Sequence, residues 1–250
     1  MSVTLRADKG RASSSHLAGA MGAEVRRSTS GTWARTATAG EPRRELVPAG
    51  ATFKFGQSPF HGKGALYLAT REFFDHNIQG GFDALVSEIE EPELKAFIAQ
   101  RFLPSGWYDL LPARSLMGYA ARALRMPVDD YLLYRVRYQA RRDLSGIHAW
   151  VLRMAPPSLV APRLPTVLAR TFDFATAESH AEARDSLVLS IHGVPVLLAD
   201  WFRVVLQVYA ETAMKLAGAQ TVTLEPLPST REGERGGLPL LRLQACLRWA

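Results

Sequence analysis

The chain has 250 residues, of which 47% are hydrophobic and 22% are charged. This balance is typical of a globular protein with a sizeable core. A single cysteine excludes a disulfide framework and cysteine-rich metal sites, and six histidines leave little for a histidine-rich metal cage. No apolar run reaches the roughly 18–20 residues that span a bilayer, so we expect a cytoplasmic protein without a membrane span.

The charge is unevenly distributed along the chain. There are 30 Lys and Arg against 24 Asp and Glu, and residues 1–50 hold eight of the basic and four of the acidic side chains. Residues 1–48 are rich in Ser, Ala, Gly, Thr and Arg, which predicts a disordered basic tail. Residues 49–250 are predicted to form one domain. Because most of the positive excess lies in the tail, nucleic acid is not an expected partner.

Helical spacing dominates the first half of this domain. Leu66, Ala69 and Phe73 illustrate it, since they fall on one face of a helix. Asp129 is predicted to cap the helix that runs to Arg142. Comparable stripes predict helices over residues 63–77 and 82–89, from Pro92, from Pro112, around Ile147–Met154 and from Pro165.

The spacing changes after Phe172. Segments 172–177, 187–191, 221–227 and 241–249 are predicted strands, and Leu197–Leu216 is the longest predicted helix. His180 is placed in the turn between the first two strands, and Ser229–Gly237 is predicted to be a charged, glycine-rich loop. The fold class is therefore α+β, with a helical N-terminal half followed by a ββαββ antiparallel sheet unit.

Three strings within residues 61–250 resemble those of a known family. They are HGKGALYLATREFFDHNIQGGFDALVSEI, WYDLLPARSLMGYAARALRMPVDDYLLYRVRYQ and LLADWFRVVLQVYAETAMKLAGAQTVTLEP. Their order and hydrophobic spacing resemble the heme-NO-binding (H-NOX) domain and its heme-free relatives. The layout is also similar to an uncharacterised, heme-free paralogous family abundant in myxobacteria and to domains of the four-vinyl-reductase type. The resemblance implies a non-catalytic bacterial sensory or regulatory domain.

Two departures from the heme-binding members imply that no cofactor is bound. In those members a helical histidine ahead of the sheet ligates the iron, whereas the matching stretch Leu164–Arg170 has none. They also carry Tyr-x-Ser-x-Arg to hold the heme propionates, whereas Val188–Val196 reads VLSIHGVPV. These two interactions place the heme, so we expect no heme and no other metal.

The resemblance also implies a cavity between the helical half and the sheet that accepts a small apolar ligand. We assign its wall to Leu164, Leu168, Phe172 and Trp201. An alternative is an empty core, with signalling only through contacts to a protein partner.

A second candidate surface lies on the helix that ends at Arg142. Tyr134, Arg137, Tyr138 and Arg141 share one face and form a possible partner surface, or one for single-stranded nucleic acid in an alternative regulator. A purely structural role for these four residues is the simpler explanation, because arginines favour helix C-termini and tyrosines commonly pack half-buried.

No catalytic residue is assigned. Ser145 with His148, and Ser190 with His192, share a face but lack a Gly-x-Ser-x-Gly elbow and an orienting acid. Gly62-Lys63-Gly64 lacks the spacing of a phosphate loop. An enzyme whose site is assembled from distant residues stays open as an alternative, and a His, Asp and Ser cluster in a deep pocket would support it.

Overall fold

A computed structural model describes residues 45–250 of the chain. Of the predicted tail 1–48, only the last four residues fall in this range, and the rest lie outside it. Leu46 already packs against the core of the helical half.

The helical half opens with a short two-stranded ribbon, β1 with β2, that the sequence did not predict. Strands of three residues are too short to show a period, so only the paired backbone identifies them. Gly62 of β1 also forms a bridge to Phe172, which ties this ribbon to the chain just ahead of the sheet. The elements of this half are β1 (His61–Lys63), α1 (Ala65–Asn77), α2 (Gly81–Ser87), α3 (Pro92–Ala99), β2 (Trp107–Asp109), α4 (Leu111–Ala123), α5 (Val128–Asp143), α6 (Gly146–Arg153), α7 (Pro157–Val160) and α8 (Leu164–Thr171).

Most of the predicted helices are confirmed, with small shifts at their ends. Gly80 separates α1 from α2 with a φ of +85°, a conformation that favours glycine. Prolines occupy the first turns of α3, α4 and α8, where a missing N–H breaks no helical bond. The prediction that Asp129 caps α5 is wrong by two residues, since Pro127 is the capping residue and Asp129 lies in the first turn.

The core of the helical half is rich in aromatic rings. Phe73 and Phe74 of α1 are fully buried. Phe73 makes edge contacts with Tyr131, Tyr134 and Tyr138 of α5, at centroid distances of 6.3, 5.5 and 5.1 Å. The apolar stripe of α1 is thus matched by an aromatic face of α5, and this packing holds the two helices together.

The second half is the predicted ββαββ unit. Its elements are β3 (Thr176–Ala183), β4 (Ser186–Pro195), α9 (Ala199–Leu216), β5 (Val222–Arg235) and β6 (Leu238–Trp249). The strands are antiparallel in the order β3-β4-β6-β5, with Leu189 opposite Ala245. Buried residues of α9, including Ala210, Ala213 and Met214, pack with Leu189 and Leu247 of the sheet. One sheet face is therefore covered by a helix.

Two predictions about this half are wrong. The first strand is Thr176–Ala183, so His180 lies within β3 and not in a turn. The segment Ser229–Gly237 is mostly strand, because β5 continues to Arg235 and pairs with β6 as a long hairpin. Residues 228–235 are exposed and have no buried face, so they show no alternation, and register shifts at Leu227/Thr230 and Arg231/Glu234 break the period further.

Among the described residues, no helix combines the length and apolarity needed to cross a membrane.

Candidate functional site

The structure brings together three of the four residues that we assigned to a ligand pocket. Leu168, Phe172 and Trp201 belong to one core cluster between the ribbon, α8 and α9. Leu164 packs instead against a separate cluster formed by α9 and the sheet. The assignment of these four residues to an apolar pocket stays a prediction.

Aromatic rings fill the junction between the helical half and the sheet. Phe172 lies 4.9 Å from Phe202 and 5.5 Å from Trp201, measured between ring centroids. Phe174 lies 5.4 Å from Phe60 and 5.8 Å from Phe202. Centroid distances of this size are those of rings in direct contact, so these five side chains form one continuous packed layer.

Among the described histidines, His61 follows Phe60 of this layer, and its ring is bonded to Asp173. The stretch Leu164–Arg170 forms α8 and contains no histidine, as the sequence shows. His148 and His180 are exposed, and His76 is bonded to a carbonyl of its own helix. Among the described residues, no three His, Cys, Asp or Glu side chains are grouped so as to hold a metal ion.

The stretch of β4 that corresponds to the propionate-binding motif has an acidic surrounding. Ser190 is buried and accepts a hydrogen bond from Gln244 at 3.0 Å. His192 stands two residues later, where the motif places its arginine. Its Nδ1 lies 2.8 Å from Glu232 and its Nε2 lies 3.3 Å from Glu178. Two carboxylates at this position would repel a propionate.

The predicted partner face on α5 is partly built into the core. Tyr134 and Tyr138 pack their rings against Phe73, as the structural explanation expected. Arg137 is half-buried and Arg141 is exposed at the helix end. The four residues therefore share a helix face, but its tyrosines do not present open rings on which a base would stack.

Sequence reasoning missed Arg135, the buried arginine of the same helix. Its guanidinium donates to Gln139 at 2.9 Å and to Thr70 at 3.3 Å, and it stands over the ring of Phe73. Gln139 in turn donates to Asp143, which accepts from Tyr209 of α9. Burial lowers the pKa of Arg135, although nearby Tyr131 opposes the shift. This chain of hydrogen bonds links α1, α5 and α9.

Two clefts of the described residues lie elsewhere, at the surface. One, of about 250 Å³, is lined by Arg114 and Leu197 among others. The other, of about 630 Å³, lies between residues 52–61 and the tip of the β5–β6 hairpin. None of the four predicted pocket residues lines either cleft.

The larger cleft is lined by a histidine and a serine, but these two residues are not parts of one catalytic triad. His61 is bonded to Asp173, with Nδ1 and Oδ2 2.7 Å apart. Ser58 lines the same cleft, yet its hydroxyl donates to Asp109 at 2.6 Å. The serine is therefore not activated by His61. The pairs Ser145–His148 and Ser190–His192, to which we assigned no catalytic role, are not hydrogen-bonded among the contacts of the described residues.

Helix α6 presents its apolar stripe to solvent. Ile147, Trp150, Val151 and Met154 follow the spacing i, i+3, i+4, i+7 and are 72%, 62%, 53% and 71% exposed. Ala149 is the buried residue of this helix. The stripe correctly predicted a helix, but it does not face the core. Contiguous exposed apolar side chains of this kind mark interaction surfaces.

The lone cysteine is not a reactive centre. Cys246 is buried, and its thiol lies 3.6 Å from Glu182. Burial raises the pKa of this thiol, and the neighbouring Arg248 only partly opposes that shift. The thiolate, which is the nucleophilic form, is therefore disfavoured.

Solved structures that resemble this chain identify its fold. No family model matches the chain, and no curated protein is similar to it in sequence. A solved structure of a mutant T. tengcongensis H-NOX superposes with a TM-score of 0.51 at 12% identity, over 75% of this chain and 97% of that chain. An oxygen-binding H-NOX domain related to soluble guanylate cyclases superposes with a TM-score of 0.50 at 13% identity, over 74% and 92% of the two chains.

A mutant Cs H-NOX gives a TM-score of 0.51 at 12% identity, over 75% of this chain and 96% of that chain. The chain thus has an H-NOX-like α+β fold. At these identities the likeness is one of architecture, and the chemistry of the site has to be argued from the residues of this chain.

Proposed function

We propose that this chain is a non-catalytic, cytoplasmic sensory or regulatory domain of a bacterium that uses the H-NOX-like fold without heme. The observation that carries the proposal is the packed aromatic layer of Phe60, Phe172, Phe174, Trp201 and Phe202. It lies between the helical half and the sheet, where the resemblance implies a cofactor or ligand cavity. A porphyrin would have to displace these rings from a close-packed core.

The polar groups of this region support the same conclusion. Helix α8 offers no histidine to an iron, and His61 and His192 are each bonded to carboxylates. Val188 and His192 stand at the two positions of the propionate motif that a tyrosine and an arginine would occupy. The residues present therefore do not fit a heme.

The test is an absorbance spectrum with native and denaturing mass spectrometry on full-length protein produced with excess heme precursor. We expect no Soret band, because α8 offers no histidine and β4 lacks the tyrosine and the arginine of the propionate motif. A stoichiometric Soret band would contradict the proposal. Without such a band, an extra non-covalent mass would assign an apolar ligand to Leu164, Leu168, Phe172 and Trp201, and a bare mass would favour a protein partner.

We further propose that the output surface of this domain is the exposed stripe of α6, and that it binds an acidic amphipathic helix of a protein partner. Residues 144–172 contain three arginines and no Asp or Glu, so the apolar stripe lies within a basic stretch. A helix with carboxylates beside an apolar face complements both features. A second copy of this chain does not, because two basic faces repel each other.

A fluorescently labelled acidic amphipathic peptide provides the probe. Binding to the full chain should raise the fluorescence anisotropy of the label. The double variant Ile147→Ser/Met154→Ser should bind at least about tenfold more weakly, since each buried apolar side chain contributes on the order of 1 kcal/mol or more. Val196→Ser, another exposed apolar position, is the matched control and should leave binding unchanged.

Two results would contradict this surface. One is equal affinity for a lysine-containing version of the peptide, since charge complementarity would then play no part. The other is an equal effect of Val196→Ser and the double variant, which would show nonspecific apolar adsorption.

A further inference from the structure

The cleft of about 630 Å³ between residues 52–61 and the β5–β6 hairpin has a built polar lining. It adjoins the aromatic layer, since Phe53 packs against the same core cluster, and none of its lining residues belongs to α6. Its charged or polar lining residues are Thr52, Gln57, Ser58, His61 and Arg235, and its apolar wall includes Phe53.

A backbone hydrogen bond joins the two walls of this cleft. The Thr52 N–H donates to the Gly236 carbonyl at 3.1 Å. Gly236 has a φ of +60°, and a Cβ at this position would stand 2.9 Å from Pro59 and 3.0 Å from Phe53. The hairpin tip therefore needs glycine here to approach the segment this closely. A ligand in the cleft would meet a preformed surface.

Hydrogen bonds to the buried carboxylate of Asp109 fix the position of Ser58. Asp109 accepts from the Ser58 N–H at 2.9 Å and from the Ser58 hydroxyl at 2.6 Å. It also accepts from the Leu111 N–H at 2.9 Å. All three donors serve one side chain that is 3% exposed, so the position of residue 58 is fixed by the ribbon strand β2.

Asp173 orients His61 in the same wall. The carboxylate accepts from the His61 backbone N–H at 2.9 Å and lies 2.7 Å from the ring Nδ1. In the imidazolium form both ring nitrogens carry a proton, so Nδ1–H donates to this carboxylate and Nε2–H is left to donate to a ligand. The contacts within residues 45–250 show no partner for Nε2, and His61 lines the cleft.

Arg235 supplies a positive charge on the opposite wall. It is exposed, and no hydrogen bond or ion pair of its guanidinium to another described residue is found. The lining contains no carboxylate. The cleft is therefore complementary to a small organic anion. It offers an arginine, an oriented histidine, neutral hydroxyl and amide groups and an aromatic side chain.

From this geometry we propose that the cleft binds the oxyanion group of a small organic molecule, with Arg235 as the charge partner and the Nε2–H of the His61 imidazolium as a second donor. Phe53 contacts the apolar part of the ligand. The guanidinium fork matches a carboxylate and a phosphate equally well, so both belong to the same ligand chemistry. This site does not depend on the proposed function, and a heme-free domain would stand if the cleft were empty.

The test is an NMR titration of the full chain with benzoate and with phenyl phosphate, following the imidazole signals of His61. We expect a saturable shift of these signals with at least one probe, and the responding probe identifies the oxyanion. Arg235→Gln should weaken the affinity at least about tenfold, the loss of one charge-assisted hydrogen-bonded pair. Arg231→Gln, on the same hairpin but outside the lining, is the matched control.

Retained affinity in the Arg231→Gln variant together with loss in Arg235→Gln supports the site. Equal losses in the two variants would overturn it, because they would report only the overall charge of the hairpin. The absence of a His61 shift with either probe would overturn it as well.

Discussion

Replacing Phe202 by alanine is expected to lower the free energy of unfolding by about 3–5 kcal/mol. The ring is fully buried and touches Phe172, Phe174 and Trp201 at centroid distances of 4.9, 5.8 and 5.1 Å. Its removal leaves a cavity that the neighbouring rings, fixed on α9 and on the segment between α8 and β3, cannot close. Urea denaturation followed by circular dichroism measures the effect, and total stabilities of about 5–15 kcal/mol make such a loss easy to detect.

The matched control for this experiment is Val196→Ala, an exposed position three residues before α9. It should change the stability by less than about 0.5 kcal/mol. A loss below about 1 kcal/mol in Phe202→Ala would show that the aromatic layer is loosely packed. That result would also weaken the proposal of a heme-free domain, because the proposal rests on this layer being filled.

The fold was predictable because its signals are long and periodic. Alternation in the last strand and the apolar length of α9 gave the ββαββ order, and the stripes of α1 and α5 gave the helical half. The hairpin tip at Ser229–Gly237 was missed for the opposite reason. Its residues are exposed on both faces, so strand pairing leaves no trace in their hydrophobicity.

The candidate site was less predictable, since its parts are distant in sequence. His61 and Asp173 are 112 residues apart, and Ser58 and Asp109 are 51 apart, so no local motif announces either pair. Arg235 lay in a segment predicted as a loop. Helix α6 shows a second limit, because the same apolar spacing predicts a helix whether its stripe faces the core or the solvent.

Two buried tyrosines give the second large effect, a loss of stability at alkaline pH. Tyr67 is 4% exposed and donates to the Asp109 carbonyl, and burial raises its pKa well above 10, with the charge of Asp109 adding to the shift. Tyr131 is 2% exposed, and burial raises its pKa to about 12 against the opposing effect of Arg135. Both rings therefore hold their protons more tightly in the folded state than in the unfolded chain.

The direction of the effect follows from this difference in bound protons. Below pH 10 both states carry the proton and stability does not depend on these groups. Between pH 10 and 12 the unfolded chain loses its protons first, so stability falls by about 1.4 kcal/mol per pH unit for each tyrosine. Tyr131 alone accounts for a decrease of about 2.3 kcal/mol by pH 12, which approaches about 2.7 kcal/mol at higher pH.

The predicted loss of stability above pH 10 is tested by urea midpoints at pH 9, 10, 11 and 12. These are measured for the wild type, Tyr67→Phe, Tyr131→Phe and the double variant. Each substitution should remove its share of the slope above pH 10, and comparison with wild type at each pH cancels the titration of the remaining groups. Phe74→Leu is the matched control, since it disturbs the same core without removing an ionisable ring and should lower stability equally at every pH.

A Tyr131→Phe variant with the wild-type slope would mean that this hydroxyl ionises in the folded protein without cost. The ring would then be accessible to water, and the close packing of α1 against α5 that buries it would be wrong.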